Sequence, residues 1–568
     1  MNRRVLLIEP PFYRLFKDSY SLSKYPLSLG YLAQSVLKHL DWEVCTYNAD
    51  FNPNAEPVEI AYLTGTGYQR YLAELKHQAG RVWSQITDVI ADFAPDVVGI
   101  SCKSQAYRSA CLVARLAKQV NKDALVILGG PHPSMVGREA VSSADVDLAV
   151  VGEGEETLVE LLHCVGSRGQ LADIPGIIYR DQGIIRTTAA RPPVHCLDGL
   201  GFPHAEASRV LKNFSSYPTH AFSTLMATRG CPFACLFCGS RYIWGRKVRY
   251  RSPAHVVGEI QALQKLGLDT VHFDDDTFGV TKTYISKLCH VLRTECPGVR
   301  WSCELHVNLV HDDIIAELAQ AGCYYIQLGV ESGNNEILRQ IRKGFTIEKA
   351  RRAANTIKRH GLILQAFFMV GFPDETEESL RDTMDAIATI NADTISYSIF
   401  TPYPGTEAFD ICRQYGLIDS AYDVSRFNHQ SPENCFCRNI HRDRFRQLVA
   451  GLETTIDEHN RKSGAAVELV RRRIRAINEY LPGRTRARVF GTGALAERVE
   501  EMLDPSKWEI VGYFDNDRNK TGTLRRGVLI ETPAHQDGIK VIIASSWKSE
   551  IRRQLLELGY RDVDIITI

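Results

Sequence analysis

Short apolar runs bounded by turn residues alternate with helix-length segments along most of this chain, and that alternation limits the fold more than any single motif does. Val5–Ile8, Val97–Ser101, Leu125–Leu128 and Leu148–Val151 read as strands, with Leu27–His39 and Tyr107–Val120 as helices between them. Runs that are apolar at every position belong to strands covered on both faces, the pattern of a parallel sheet with helices on each side. Residues 1–165 are therefore predicted to form a doubly wound α/β domain, with ligands at the carboxyl ends of its strands. Residues 166–220, with Pro175, Pro192, Pro193, Pro203 and Pro218, read as a linker carrying a small hairpin.

Alternation resumes over residues 221–424. Strand candidates there are Ser223–Ala227, Thr270–Phe273, Arg300–Glu304, Tyr325–Gly329, Leu364–Val370 and Thr394–Phe400, with helices such as Pro253–Leu266 and Leu380–Ile390. About six βα units make a partial or full TIM-like α/β barrel, whose chemistry would sit at strand C-termini. Residues 425–485 are predicted to be a charged helical extension, and the basic run Arg471–Arg475 reads as a solvated helix face. Residues 486–568 complete the chain as a third, small α/β unit with a Rossmann-like pattern.

Composition narrows the function classes. The chain has 568 residues, with 67 basic and 67 acidic side chains, so net charge gives no argument for a nucleic-acid partner or an anionic membrane surface. Its opening apolar run is too short for a signal peptide, and nothing approaches the ~18 consecutive apolar residues of a membrane span. A cytoplasmic location is expected. There, the 15 cysteines point to ligands and ordinary buried thiols, not to a disulfide framework.

Three of those cysteines carry the strongest chemical signal. The first barrel strand runs into Thr228-Arg229-Gly230-Cys231-Pro232-Phe233-Ala234-Cys235-Leu236-Phe237-Cys238-Gly239. Thiolates at this C-x3-C-x2-C spacing can wrap three irons of a [4Fe–4S] cubane and leave the fourth iron open to a small chelating molecule. Zinc would want a second cysteine knuckle, and the sequence offers none nearby. The pair Cys435 and Cys437, with Cys412 upstream, is too sparsely spaced to argue for an auxiliary cluster.

On these residues the chain resembles the radical S-adenosylmethionine (SAM) superfamily, and the likeness extends over about residues 220–410, particularly to its cobalamin-associated branch. The resemblance implies that Cys231, Cys235 and Cys238 hold the cluster. It implies SAM contacts from Phe237 and from Asp274, Asp275 and Asp276, whose acidity suits an ammonium at a barrel mouth. Glu331 and Ser332 of the Gly-x-Glu-Ser stretch would serve the ribose or methionine part. Gly371–Thr376 and Thr401–Thr406 match two further landmarks of the family, whereas His306 stands where the family often has arginine.

In the first domain, Gly129-Gly130-Pro131-His132-Pro133 and Gly152-Glu153-Gly154-Glu155-Glu156 both follow strands, where glycines let backbone approach a bulky ligand. Ahead of the cluster motif they resemble a cobalamin-binding domain. The family's Asp-x-His-x-x-Gly loop is missing; Glu9-Pro10-Pro11-Phe12-Tyr13 stands in its place. The lower face of the corrinoid would then meet Ser101, Cys102, Lys103, Ser104, Gln105 or Tyr107, with Gly129, Gly130, His132, Gly152, Glu153 and Gly154 as further contacts.

At the other end, Gly491-Thr492-Gly493 follows a strand and opens a helix, and Asp515 ends the next strand. That is the setting of a dinucleotide fingerprint. The unit is short, however, and resembles the small modules of sugar and polysaccharide biosynthesis proteins, with Gly491, Gly493 and Asp515 as nucleotide contacts. A docking module with glycines for tight packing is the equal alternative.

Together these resemblances imply a methyltransferase acting on an unactivated carbon of a metabolite. One SAM would methylate cobalamin, and a second would be cleaved at the cluster to a 5′-deoxyadenosyl radical that activates the substrate. The substrate would be a small molecule, such as a nucleotide-linked sugar or secondary metabolite, and electrons would come from a flavodoxin or ferredoxin. The alternatives are non-methylating radical chemistry (cyclisation or rearrangement) and a non-catalytic cluster- and cobalamin-binding sensor.

Overall fold

The computed structural model describes residues 3–53, 60–167, 169–462, 484–544, 548–561 and 564–567. The chain divides into two compact units, residues 1–456 and 457–568.

The larger unit begins with a seven-stranded sheet. Its strands are β1 (Arg3–Glu9), β2 (Trp42–Asn48), β3 (Val97–Ser101), β4 (Leu125–Gly129), β5 (Leu148–Val150), β6 (Ile177–Asp181) and β7 (Ile184–Thr187), in the order 2-1-3-4-5-6-7. The first five are parallel. Because successive strand residues point to opposite faces, the apolar runs supply two cores. Leu6, Ile8, Val98 and Ile100 pack with Ile86, Ile90 and Val113 on one face. Val5, Leu7 and Val97 pack with Ala33, Val36, Leu158 and Leu161 on the other. The order reverses between β1 and β3, and ligands bind α/β sheets at such a switch point.

The expected linker differs. Its hairpin exists, but β6 pairs antiparallel with β5 and extends the first sheet. The edge of β5 would otherwise present unpaired backbone groups, and Ile177 and Ile178 bury on pairing, each at most 2% exposed. Val194, Leu197, Val210 and Phe222 are buried as well, so residues 188–222 pack as part of the unit.

The second sheet has six parallel strands: β8 (Thr224–Leu225), β11 (Thr270–Phe273), β12 (Arg300–Leu305), β13 (Cys323–Glu331), β14 (Ile363–Val370) and β15 (Thr394–Ile399). They lie in sequence order with β8 and β15 at the edges, an open α/β barrel. Between β8 and β11 a short hairpin pairs β9 (Thr228–Arg229) with β10 (Arg249–Tyr250). β8 is shorter than its apolar run because the Ala227 amide leaves the ladder and donates to Asp275 Oδ1 at 2.7 Å.

Residues 425–441, predicted helical, are irregular. Asn and Ser side chains bond locally there and compete with helix: Asn434 Nδ2 donates to Asn428 O and Thr401 Oγ1 at 2.8 and 2.9 Å. Tyr68 and Tyr71 of the first domain donate to the carbonyls of Arg426 and Ser425, fastening this segment down. Helix begins only at Arg442 and is described to Lys462; Arg471–Arg475 lie outside the described residues.

The smaller unit contains β16 (Thr485–Phe490), β17 (Trp508–Phe514), β18 (Leu524–Arg525), β19 (Val528–Glu531), β20 (Lys540–Ile543) and β21 (Ile565–Thr567), ordered 18-19-17-16-20-21. All pair in parallel except β18 with β19. Among the described residues no helix is long and apolar enough to cross a membrane.

Candidate cofactor sites

The loop bearing Cys231, Cys235 and Cys238 is strung between β9 and β10. Its shape depends on Gly230, whose φ of +103° belongs to glycine, and a side chain there would meet the Lys247 carbonyl at 2.7 Å. Asp275 secures the loop's entry. It accepts from the Ala227 amide and the Thr228 hydroxyl, at 2.7 and 2.8 Å, and burial pushes its carboxyl up to about 7. Asp276 faces the Gly230 amide and Ser240. Downstream, the Leu236 amide donates to Ile341 O, joining the loop to the barrel.

The three thiols lie within electrostatic reach of one another, and burial raises all three, Cys231 up to about 12. Thiols in that condition become ligands only when a metal centre displaces their protons. Three thiolates at this spacing fit three corners of a cubane.

The Lys343 ammonium opposes the rise at Cys235 and is bound to Glu331 Oε1 at 3.1 Å, with both side chains nearly buried. Glu331 has φ +71°, strained for a non-glycine residue. Lys343 is a residue that sequence reasoning passed over; its one signal is the Arg342-Lys343-Gly344 turn soon after the Gly-x-Glu-Ser stretch. His306 stacks on Phe233 of the cysteine loop with ring centres 3.5 Å apart, and burial lowers its imidazole to about 3. It is a neutral packing group beside the loop.

The predicted SAM contacts separate by direction. Phe237 packs on Phe372, with ring centres 5.9 Å apart. Asp274 stays open and pairs with Lys24 at 2.9 Å. Beside it stands Glu304, whose carboxyl is pushed up to about 7 by burial and by the neighbouring Asp274. Ser332 is fully buried, and its hydroxyl takes the Asn334 amide and meets Thr383. It therefore shapes the turn after β13 and does not face the lumen.

A cavity of about 560 Å³ opens where the first sheet's strand ends meet the barrel mouth. Glu9, Ser101, Lys103, Gly129, Gly130, Gly152, Glu153 and Gly154 line one side; Met226, Arg229, Trp244, Asp274 and Asp276 line the other. A Cβ added at Gly129 or Gly152 would touch nothing within 4 Å, so the glycines border open space. That cradle fits a bulky ligand. Lys103 reaches into it and pairs with Glu9 at 3.1 Å.

Five expected corrinoid contacts, Cys102, Ser104, Gln105, Tyr107 and His132, do not line the cavity. Chain direction alternates along the extended loop after β3, so Cys102 and Ser104 turn away from Ser101 and Lys103. Cys102 is fully buried, and Ser104 meets His132 Nδ1 at 3.1 Å. The His132 ring lies 4.3 Å from that of Tyr107, and burial lowers it to about 4.

Glu153 lines the cavity but is also engaged in ion pairs. Its carboxylate bonds Arg229 at 3.1 Å and Arg249 at 2.8 Å, and Glu155 bonds Arg229 at 2.6 Å. Sequence alone gives these arginines no role, although Arg229 stands in the Thr-Arg-Gly-Cys string itself.

Family models match this arrangement twice: a B12 binding domain over residues 25–162 and the radical SAM superfamily over residues 225–387. The chain belongs to the cobalamin-dependent radical SAM enzymes. As in that family, its cofactors are a [4Fe–4S] cluster, SAM and cobalamin. Both matched domains lie in the compact unit of residues 1–456.

Among related proteins, an uncharacterized methyltransferase (PH0819) of Pyrococcus horikoshii is 29% identical over 75% of this chain and 89% of its own length. An anaerobic magnesium-protoporphyrin IX monomethyl ester cyclase of Rubrivivax gelatinosus is 28% identical over 68% of this chain and 70% of its own. The methyltransferase TsrM of Kitasatospora setae, solved with cobalamin and a [4Fe–4S] cluster, shares the fold with a TM-score of 0.62 at 18% identity, over 80% of this chain and 91% of that one.

Residues 483–566 match a third model, "C2185-like, N-terminal". In that unit Asp515, one of the predicted nucleotide contacts, is taken up by neighbouring side chains. Thr492 Oγ1 donates to Asp515 at 2.5 Å, Lys520 lies 3.5 Å from the same carboxylate, and Arg525 Nη1 donates to Thr492 O at 2.9 Å. Gly493 faces open space.

Proposed function

We propose that this enzyme transfers a methyl group to a carbon of a small molecule. The observation that carries the reading is the single cavity shared by the first sheet's strand ends and the barrel mouth, which would let a methyl carrier on one side face a substrate on the other. The bound cofactors would supply the methyl group, its carriage and the removal of hydrogen from the substrate.

The chain's own residues have the remaining tasks. Cys231, Cys235 and Cys238 would each hold one iron and leave a fourth without a protein ligand. Asp274 and Glu304, two of the carboxylates at the ends of the barrel strands, would meet the ammonium of SAM. Lys103 and Ser101 would stand beneath the corrinoid, with Gly129 and Gly152 allowing its close approach. Asp275 and Asp276 would hold the cysteine loop in position.

Relatives named as methyltransferases support methyl transfer. One, a cytidylyl-2-hydroxyethylphosphonate methyltransferase of Streptomyces wedmorensis, is 25% identical over 75% of this chain. Its nucleotide-linked substrate favours a similar class here, with the open helix start at Gly493 as the place for a pyrophosphate. The electron donor would be a flavodoxin or ferredoxin. A second reading, cyclisation without methyl transfer, is favoured by the match to the Rubrivivax cyclase.

Anaerobic turnover with methyl-labelled SAM separates the two. Methyl transfer puts label into the product together with one 5′-deoxyadenosine per turnover. Product without label would overturn it in favour of cyclisation.

A further inference from the structure

The hairpin that presents the cysteine loop has an electrostatic peculiarity. In the register of β9 and β10, Arg229 stands directly opposite Arg249. Like charges facing across an antiparallel pair repel, and here both side chains are nearly buried, 4% and 11% exposed. The hairpin carries no acid of its own to neutralise them.

The neutralising acids come from the other domain. Glu153, in the turn after β5, bridges the two arginines, with Oε1 3.1 Å from Arg229 Nη1 and Oε2 2.8 Å from Arg249 Nη1. Its Oε2 also accepts from the Val194 amide at 2.5 Å. Glu155 adds a bond of 2.6 Å to Arg229 Nη2. Two cations meet two anions, and both carboxylates come from residues 153–155, where the corrinoid domain borders the cavity; Arg249 also donates to the carbonyls of Val194 and Trp244, at 2.6 and 3.3 Å.

Arg229 is held further by aromatic faces from both sides. Tyr31, on the helix Leu27–His39, lies 5.0 Å from its guanidinium, and Trp244, beyond the cysteine loop, lies 4.7 Å away. Arg229, Glu153, Glu155, Tyr31 and Trp244 all line the cavity. Any bulky ligand there touches this network, and one residue, Gly230, separates Arg229 from Cys231.

We propose that Arg229 is a positioning residue that couples the two cofactor sites, so that filling the corrinoid cavity and ordering the cluster loop strengthen each other. This rests on the reading that the cavity takes the corrinoid and the loop takes the cluster. Coupling of this kind is reciprocal: a loop fixed by its cluster holds Arg229 and Glu153 in place for the corrinoid, and the converse follows from linkage.

The test uses full-length protein, handled anaerobically, with hydroxocobalamin as the probe. Its dissociation constant is measured by equilibrium dialysis with the cluster reconstituted and with the cluster removed. The wild type is expected to bind at least about fivefold tighter with the cluster present. In R229M that ratio should fall to within about twofold of one, as in a protein with the link cut, and in E155Q, where Glu153 still bridges the two arginines, it should fall part of the way. R229K, which keeps the charge but loses the two-pronged fork, should fall between. E155Q leaves Glu153 to neutralise both arginines, so it keeps the test alive if R229M fails to fold.

A wild-type ratio near one, with both cofactors bound, overturns the coupling alone. So does a variant that binds both and keeps the wild-type ratio. Failure of the underlying reading looks different: hydroxocobalamin would not bind at all, or the triple substitution C231A/C235A/C238A would still hold iron and sulfide.

Discussion

Two sheets in this protein open with the same arrangement, β2-β1-β3 in the larger unit and β17-β16-β20 in the smaller, and each ties the loop after its first strand to an aspartate after its second. In the larger unit Asp50 accepts from the amides of Phe12 and Arg14, at 2.8 and 3.0 Å. In the smaller unit Asp515 accepts from the Thr492 hydroxyl. Their surroundings differ. Asp50 borders the cavity of about 560 Å³, together with Gly129 and Gly130. Asp515 is occupied by Thr492 and Lys520, and Arg525 fastens the glycine turn from its other side while pairing with Glu500. A glycine turn after a strand thus marks a path of the backbone. Whether it marks a ligand depends on the void beside it.

The largest effect expected from this contrast comes from filling the void. Leucine at Gly129 meets no atom within 4 Å of its Cβ, and the glycine's φ is not in the left-handed region, so the fold should tolerate it. Its side chain would occupy cavity space, and overpacking of that order, about 1–3 kcal/mol, weakens hydroxocobalamin binding by about 10- to 100-fold. The same change at Gly493, G493L, also meets open space and should leave hydroxocobalamin binding unchanged. Absorption titration of the two variants measures both. Wild-type affinity in G129L would remove the cavity from the corrinoid reading and end the contrast.

What the sequence disclosed has the same division. The strands are legible because an apolar run of four or five residues has few other places to go: Val97–Ser101 and Thr270–Phe273 end where their patterns end. The cysteine spacing is local and is readable for the same reason. Side-chain direction is not local. Asp274, Asp275 and Asp276 are adjacent in sequence, yet one faces Lys24, one locks Ala227 and Thr228, and one faces Gly230. Glu153 does line the cavity, but its partners Arg229 and Arg249 are 76 and 96 residues away, out of reach of a local pattern. The edge of β5 recruited a hairpin from the supposed linker for a similar reason, since the pairing exists only once the sheet does.

A smaller effect, opposite in sign between the two aspartates, tests whether their settings differ as described. Burial pushes the Asp50 carboxyl up to about 6. The folded protein then holds a proton that the unfolded chain gives up near pH 4, so this group's contribution to stability falls as pH rises from about 4 through about 6. Asp515 lies below its ordinary range; burial works against that, but the Thr492 hydroxyl, the Asp517 amide and Lys520 outweigh it. Its contribution is present above about pH 4 and is lost as pH falls through its folded value. Urea unfolding should therefore show D50N gaining on the wild type between pH 4.5 and 7.5, by on the order of 2 kcal/mol. D515N should lose to the wild type at neutral pH and approach it in acid. Parallel slopes for the two variants would show that both carboxylates sit in the same kind of site.

The smallest effect separates a self-satisfied turn from one waiting for a ligand. T492V removes the hydroxyl that bonds Asp515 and keeps the volume, while T492S keeps the hydroxyl. Asp515 would retain the Asp517 amide at 2.9 Å and Lys520, so the loss is that of one hydrogen bond, about 1 kcal/mol, and T492S should restore most of it. The measurement is hydrogen exchange at the amides of residues 488–493, compared with those of β1 as an internal reference. If the turn is closed by its own side chains, protection falls there in T492V and nowhere in β1. A turn that depends on a bound anion would instead show weak protection in the wild type, no further loss in T492V, and a rise when pyrophosphate is added.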